Sequence, residues 1–140
     1  MSGMKNVHAA EQAERLRDWG DRADDGTIDL SSAKVLSAEA SITQAQLNAG
    51  ATVLVPAVPG RKYRPVGFLV RVSGAFTGLT DVRISSTDNS KDYVTIAQAQ
   101  LTNGAVHAPG AGTHTLVSDF GTDSGVAGAG VHVRKTGGNA

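Results

Sequence analysis

The apolar positions of this chain follow two different periods, with the change near residue 51. Leu16 and Trp19 belong to a run, residues 7–19, in which apolar side chains recur at intervals of three and four. That spacing predicts a short amphipathic helix, which Gly20 can end. A helix this short is marginal alone in water, so Leu16 and Trp19 need a surface to pack on, either the chain's own body or a partner.

The stretch between this helix and the change of period is mostly small and polar. Within residues 27–41, Ile28 and Leu30 alternate with polar neighbours, which indicates an extended connector with one short strand. Thr43 is followed three residues later by Gln46, the spacing of a capping box. We therefore expect a single helical turn immediately before the β-rich part of the chain.

After residue 51 apolar and other residues alternate. Val66, Phe68, Val70 and Val72 share one face of the pattern, and Leu69 is the exception to it. This alternation predicts a half-buried strand. Similar patterns predict further strands with Val82, Ile84, Val131 and Val133 facing inward and Arg83, Ser85, His132 and Arg134 facing outward, and less regular ones in residues 93–101 and 113–120.

These short strands are separated by turns rich in Gly, Asn and Asp. Frequent short strands of this kind are typical of antiparallel β-sandwiches and jelly-roll-like barrels. We expect a mainly β protein with a short N-terminal helix and an extended arm in residues 1–41, followed by a sandwich domain in residues 42–140. The "VPGRKY" turn would be the corner between strands, and the predicted core is Val53, Val55, Val66, Phe68, Val70 and Val72.

Composition narrows the functional classes. The 140 residues include no cysteine, which excludes disulfides and thiolate metal sites, and 13 basic residues balance 13 acidic ones. With no net charge and few aromatic residues, binding to nucleic acid or to a membrane surface is not expected. No apolar run is long enough to span a bilayer and no signal peptide is evident, so we expect synthesis in a cytoplasm.

The charge is unevenly distributed along the chain. Residues 1–41 contain five basic and eight acidic residues, whereas residues 42–140 contain eight basic and five acidic ones. The two parts therefore differ in sign, −3 against +3, and can attract each other within a chain or between chains.

Candidate catalytic and metal-binding residues are sparse. His8, His107, His114 and His132 are too irregularly spaced to indicate a metal site and are expected at the surface. The triplet 123–125, Asp-Ser-Gly, matches an aspartic protease motif but lacks the hydrophobic strand that precedes it there. We predict no enzyme activity and no cofactor.

Two other polar segments are interpreted as surface features. Residues 87–92 contain two Asp but lack the ligand spacing of a calcium loop, so a polar hairpin turn is expected. Residues 61–64 contain the one local basic cluster, which is interpreted as a solvated turn or a protein contact.

The order of these segments resembles that of a known class of protein. The "NAGA" lead-in, the "VPGRKY" turn and the closing "GVHVRKTGG" segment resemble small β-sandwich structural proteins of tailed bacteriophages, of the head-decoration or head-fibre type. The resemblance covers residues 42–140, implies a trimer and carries no catalytic residue. Such domains usually continue into one more strand, so either that strand is absent here or a neighbouring subunit covers the edge formed by residues 131–134.

The resemblance implies a capsid decoration or cement subunit on the outside of a phage head. Its partners would be the major capsid protein or other virion proteins, and the chain would be located on the capsid surface. We expect Leu16, Trp19, Ile28 and Leu30 to make the partner contacts. The alternatives are a fibre, tail or baseplate module of the virion, or a glycan-binding sandwich for host attachment.

Overall fold

Antiparallel strand pairing organises the chain after Ala51. The computed structural model describes residues 35–140 and contains seven strands and one short α-helix in that range. Residues 35–41 are exposed and have no regular secondary structure, as expected for the connector. The elements are α1 (Gln44–Ala49), β1 (Thr52–Val55), β2 (Val70–Arg71), β3 (Leu79–Ser86), β4 (Asp92–Ala97), a 3-10 helix (Gln98–Gln100), β5 (Val106–His107), β6 (Thr115–Leu116) and β7 (Val131–Gly137).

The predicted capping box is confirmed at the start of α1. The amide of Gln46 donates to the Thr43 hydroxyl (3.2 Å), and the Thr43 amide donates to the Gln46 side-chain oxygen (2.7 Å). These two bonds satisfy amides that a helix N-terminus otherwise leaves unpaired. Leu47 is the buried residue of the helix, at 4% exposure.

The seven strands form two antiparallel sheets. The larger has the order β1-β7-β3-β4-β6, and the smaller consists of β2 and β5. Strands β1 and β6 are the two edges of the larger sheet, so it does not close into a barrel. The mainly β, sandwich-like prediction is confirmed, and the barrel alternative is wrong.

The last strand is interior to the sheet. Strand β7 pairs with β1 on one side, for example Val53 with His132, and with β3 on the other, for example Arg83 with Arg134. The expectation that residues 131–134 expose an edge for a neighbouring subunit is therefore wrong, because β1 of the same chain covers that edge.

One apolar cluster holds the two sheets together. Phe68, which precedes β2, and Val70 of β2 pack against this buried cluster, as do Val82 and Ile84 of β3. Burying such side chains contributes about 1.5–3 kcal/mol each. The buried members of the cluster are Val72, Leu79, Tyr93, Val94, Ile96, Leu101 and Val131.

Two predicted core residues are instead exposed. Val53 is 54% exposed because it pairs with His132, whose side chain lies on the face of the sheet opposite the apolar cluster. Val66 is 63% exposed because it lies in an irregular segment before β2 begins, where the two-residue period does not apply. The sequence pattern is regular through Val66, but the strand is not.

The "VPGRKY" segment connects the two sheets, since β1 belongs to the larger and β2 to the smaller. It turns at Gly60, whose φ of 75° suits glycine, and the Arg61 amide donates to the Val58 carbonyl over 3.1 Å. This agrees with the predicted corner between strands.

Candidate interaction surfaces

A network of charged side chains covers the face of the larger sheet opposite the apolar cluster. The Arg83 guanidinium donates to both carboxylate oxygens of Asp81 (2.7 and 2.9 Å) and to Asp92 (2.7 Å). Arg134 donates to the other oxygen of Asp92 (2.8 Å) and to the Ser85 hydroxyl (3.0 Å). Asp92 therefore bridges two arginines on two different strands.

Strand register brings these side chains together. Arg83 pairs with Arg134 of β7, and Ser85 pairs with Asp92 of β4 and with His132 of β7. Residues directly opposite on antiparallel strands project from the same face, with their Cβ atoms about 5 Å apart. Two arginines in that position repel each other unless carboxylates lie between them, which is what Asp92 provides.

The network is buried enough to stiffen the sheet. The side-chain exposures of Arg83, Asp92 and Arg134 are 28%, 29% and 21%, and Ser85 is fully buried. The hydrogen bonds from Arg83 lower the pKa of Asp81, against the opposing effect of burial, and Asp81 in turn raises the pKa of Arg83. Charges satisfied in this way stabilise a particular strand arrangement.

A shallow depression of about 310 Å³ adjoins this network. Its lining includes Leu47 of α1, Asn89, His132 and Arg134. His132 is 5% exposed and lies 2.9 Å, through Nε2, from the Asn89 side-chain oxygen. Burial, aided by the nearby Arg134, lowers the pKa of His132.

The basic cluster, residues 61–64, contacts a second loop through Thr122 and Asp123. Lys62 forms an ion pair with Asp123, and Arg64 donates to the Thr122 carbonyl over 2.8 Å. The hydrogen bond with Lys62 is the main cause of the lowered pKa of Asp123. Ser124, next in the chain, is fully buried. The Asp-Ser-Gly triplet thus has its carboxylate paired and its hydroxyl inaccessible.

Two of the histidines expected at the surface are in the interior, so that expectation is wrong for them. His107 is 2% exposed and His132 is 5% exposed. His107 lies in β5 with Nε2 2.9 Å from the Gln100 carbonyl oxygen, and its ring packs edge-on against that of His114 at 6.0 Å. Within residues 35–140, no group of three or more His, Cys, Asp or Glu is placed to hold a metal ion.

The outer surface of the smaller sheet is apolar and basic. Arg71 pairs with Val106, so their side chains share a face, and Leu69 precedes Arg71 by two residues. Leu69 is 59% exposed, Val106 is 45% exposed and Arg71 is also exposed. We call the side chains of Leu69, Arg71 and Val106 the outer face. Sequence reasoning did not identify it, although Leu69 was the one residue that broke the alternating pattern.

The four predicted contact residues cannot be placed on this structure. Leu16, Trp19, Ile28 and Leu30, and the predicted helix at 7–19, all lie outside the described residues. Their role stays a prediction from the sequence.

Comparison with protein-family models, with curated proteins and with solved structures finds no match for this chain. Among the helices of residues 35–140, none has the length and apolar character needed to cross a membrane.

Proposed function

We propose that this chain is a structural protein of a bacteriophage virion, a decoration or cement subunit that binds the outside of the head, and that it acts by binding and not by catalysis. The observation that carries the proposal is the outer face, where Leu69 and Val106 project into solvent beside Arg71. Apolar side chains grouped on a rigid surface with a basic residue are typical of protein contacts.

The larger sheet supports the same proposal, because a shell subunit has to keep its shape while it is held at several points. Strand β7 pairs along both sides, and the network centred on Asp92 crosses β3, β4 and β7. A sheet fastened on both faces, by the apolar cluster and by ion pairs, gives a stiff support for exposed contact residues.

In this proposal residues 1–41 anchor the subunit to the major capsid protein or to another virion protein. Leu16, Trp19, Ile28 and Leu30 supply the apolar contacts, of which those of Ile28 and Leu30 can be made with a neighbouring copy, and three copies assemble around a symmetry axis on the capsid surface. The resemblance of residues 42–140 to head-decoration modules is the reason for placing the chain on the head in preference to the tail.

A pelleting assay tests the proposal. Full-length chain added to particles that lack it should sediment with them, and a chain without residues 2–41 should remain in the supernatant while keeping its β-sheet circular dichroism. Undiminished occupancy by the shortened chain would exclude the anchoring arm.

Immunogold labelling of complete virions then locates the chain. Label over the head is the expected result, whereas label confined to the tail or fibres would replace the head assignment with the fibre or baseplate alternative. Binding to a glycan array by the chain lacking the arm would instead favour host attachment.

A further inference from the structure

We propose that the outer face of the smaller sheet binds the acidic segment 21–30 of a second copy of this chain. This goes beyond the proposed function, because such self-association is expected whether or not the chain belongs to a virion. Leu69 and Val106, which stay exposed within residues 35–140 of one copy, would gain a contact by this association.

The face is defined by strand pairing. Val70 and His107 point inward from β2 and β5, so their neighbours Arg71 and Val106 point outward as a cross-strand pair. Leu69 precedes β2, but its neighbours Phe68 and Val70 both pack against the apolar cluster, so Leu69 projects outward as Arg71 does. The result is a small exposed surface that combines two apolar side chains with one arginine.

The sequence around β2 contains basic residues and no acidic ones. Between Ala40 and Thr80 there is no Asp or Glu, whereas Arg61, Lys62, Arg64 and Arg71 lie in this stretch. Lys62 is neutralised by Asp123, but Arg71 has no ion-pair partner among residues 35–140. A complementary ligand is therefore acidic and partly apolar.

One segment of the chain has that composition. Residues 21–30, "DRADDGTIDL", contain four Asp and one Arg, and they end with Ile28 and Leu30 on either side of Asp29. The segment alone accounts for a net charge of −3. Its carboxylates can pair with Arg71, and its two aliphatic side chains can pack against Leu69 and Val106.

A second copy is the natural source of this segment. Each copy carries one acidic segment and one basic face, so copies can join head to tail, and a closed ring satisfies every segment and every face. The formal charge of the whole chain is zero, so association is not opposed by net repulsion.

The test is sedimentation velocity of the full-length chain over a range of concentrations. Reversible self-association that weakens with added salt is expected, since exposed charge pairs are screened. Arg71→Glu should lower the association constant by about tenfold or more, because attraction at the face becomes repulsion. Lys135→Glu is the matched control, with the same change in charge on β7, and should associate as the unmodified chain does.

A charge-exchange experiment identifies the segment. A chain in which Asp24, Asp25 and Asp29 are all replaced by Lys should also lose self-association. When it is mixed with Arg71→Glu chain, association between the two variants should return, because the acidic segment of the Arg71→Glu chain meets the unmodified face and the new basic segment meets the new glutamate. Melting temperatures establish that each variant is folded.

Three results would overturn the inference. The first is an unmodified chain that stays monomeric at all concentrations, which would also be the outcome if the segment bound its own chain. The second is an equal effect of Arg71→Glu and Lys135→Glu. The third is a mixture of the Arg71→Glu chain with the Asp→Lys chain that shows no association between the two, although each variant is folded and has lost its self-association.

Discussion

The substitution Asp92→Asn tests the charged network, because among residues 35–140 Asp92 is the only bridge between its two arginines. Its carboxylate accepts from Arg83 over 2.7 Å and from Arg134 over 2.8 Å, and the two arginines lie directly opposite each other on β3 and β7. The amide of Asn cannot neutralise either guanidinium. Arg83 keeps Asp81 as a partner, whereas the only partner that Arg134 keeps among residues 35–140 is the Ser85 hydroxyl.

The expected loss of stability lies between two limits. Exposed ion pairs contribute about 0–1 kcal/mol, and breaking a fully buried pair costs about 3–5 kcal/mol. With side-chain exposures of 28%, 29% and 21% for Arg83, Asp92 and Arg134, the network lies between these cases. We expect about 2 kcal/mol, which for a domain of this size lowers Tm by about 10 °C.

Chemical denaturation followed by far-ultraviolet circular dichroism measures this loss, with the thermal melt as a second readout. Asp123→Asn is the matched control, since it makes the same change at a carboxylate that is 76% exposed and pairs with Lys62. The control should unfold at the same denaturant concentration as the unmodified chain. If Asp92→Asn is no more destabilising than Asp123→Asn, the network does not stabilise the sheet.

Three further predictions concern single positions. Gly130→Ala should destabilise the fold by about 2 kcal/mol or more, because the added Cβ would overlap the Val55 carbonyl oxygen and lie 2.7 Å from the Ala57 nitrogen. Gly67→Ala is the control and should be neutral, since Gly67 has open space around it. Equal melting temperatures for the two variants would refute this prediction. The pKa of His132 is lowered in the folded chain, so the unfolded chain binds more protons and the free energy of unfolding should fall as pH drops below about 6.5. His132→Gln should flatten this part of the curve of stability against pH. An unchanged slope would contradict the prediction. Thr43→Ala removes one hydrogen bond of the capping box and should lower the local stability of α1 by about 1 kcal/mol. Hydrogen exchange at the α1 amides should become faster, whereas exchange at the β3 amides should not change.

Local sequence signals predicted the elements of this fold better than their arrangement. Thr43 and Gln46 predicted α1 because a capping box involves residues only three apart. Val82 and Ile84 predicted the core face of β3 because alternation is a property of the strand itself. Both predictions depended on neighbours in sequence, and both are confirmed.

The alternation of apolar and polar residues did not predict which faces of the strands are covered, because that depends on residues far apart in sequence. Arg83 and Ser85 are predicted to face outward, and they do lie on the face opposite the apolar cluster. Their hydrogen bonds with Asp92 and Arg134, however, leave Arg83 largely covered and Ser85 fully buried. Alternation distinguishes two faces without saying which is in water. His132 was misplaced for the same reason, since Asn89 reaches it from a turn 43 residues away.

The candidate contact surface was only partly accessible to sequence reasoning. Leu69 was visible as an exception to the alternation, but its meaning depends on Val106, which joins it through the pairing of β2 with β5. Neither residue can be assigned to a surface until that pairing is known. The acidic and basic parts of the chain, by contrast, were evident from a count of charges.

The most direct test of the central claim, that this chain acts as a structural subunit held on a phage head, is a cryo-electron microscopy map of virions purified from the cells that encode it. We predict density on the outside of the capsid that fits the two-sheet domain of residues 42–140, with neighbouring copies grouped about a symmetry axis. Virions whose capsid surface shows no such density, and whose proteins do not include this chain by mass spectrometry, would contradict the account.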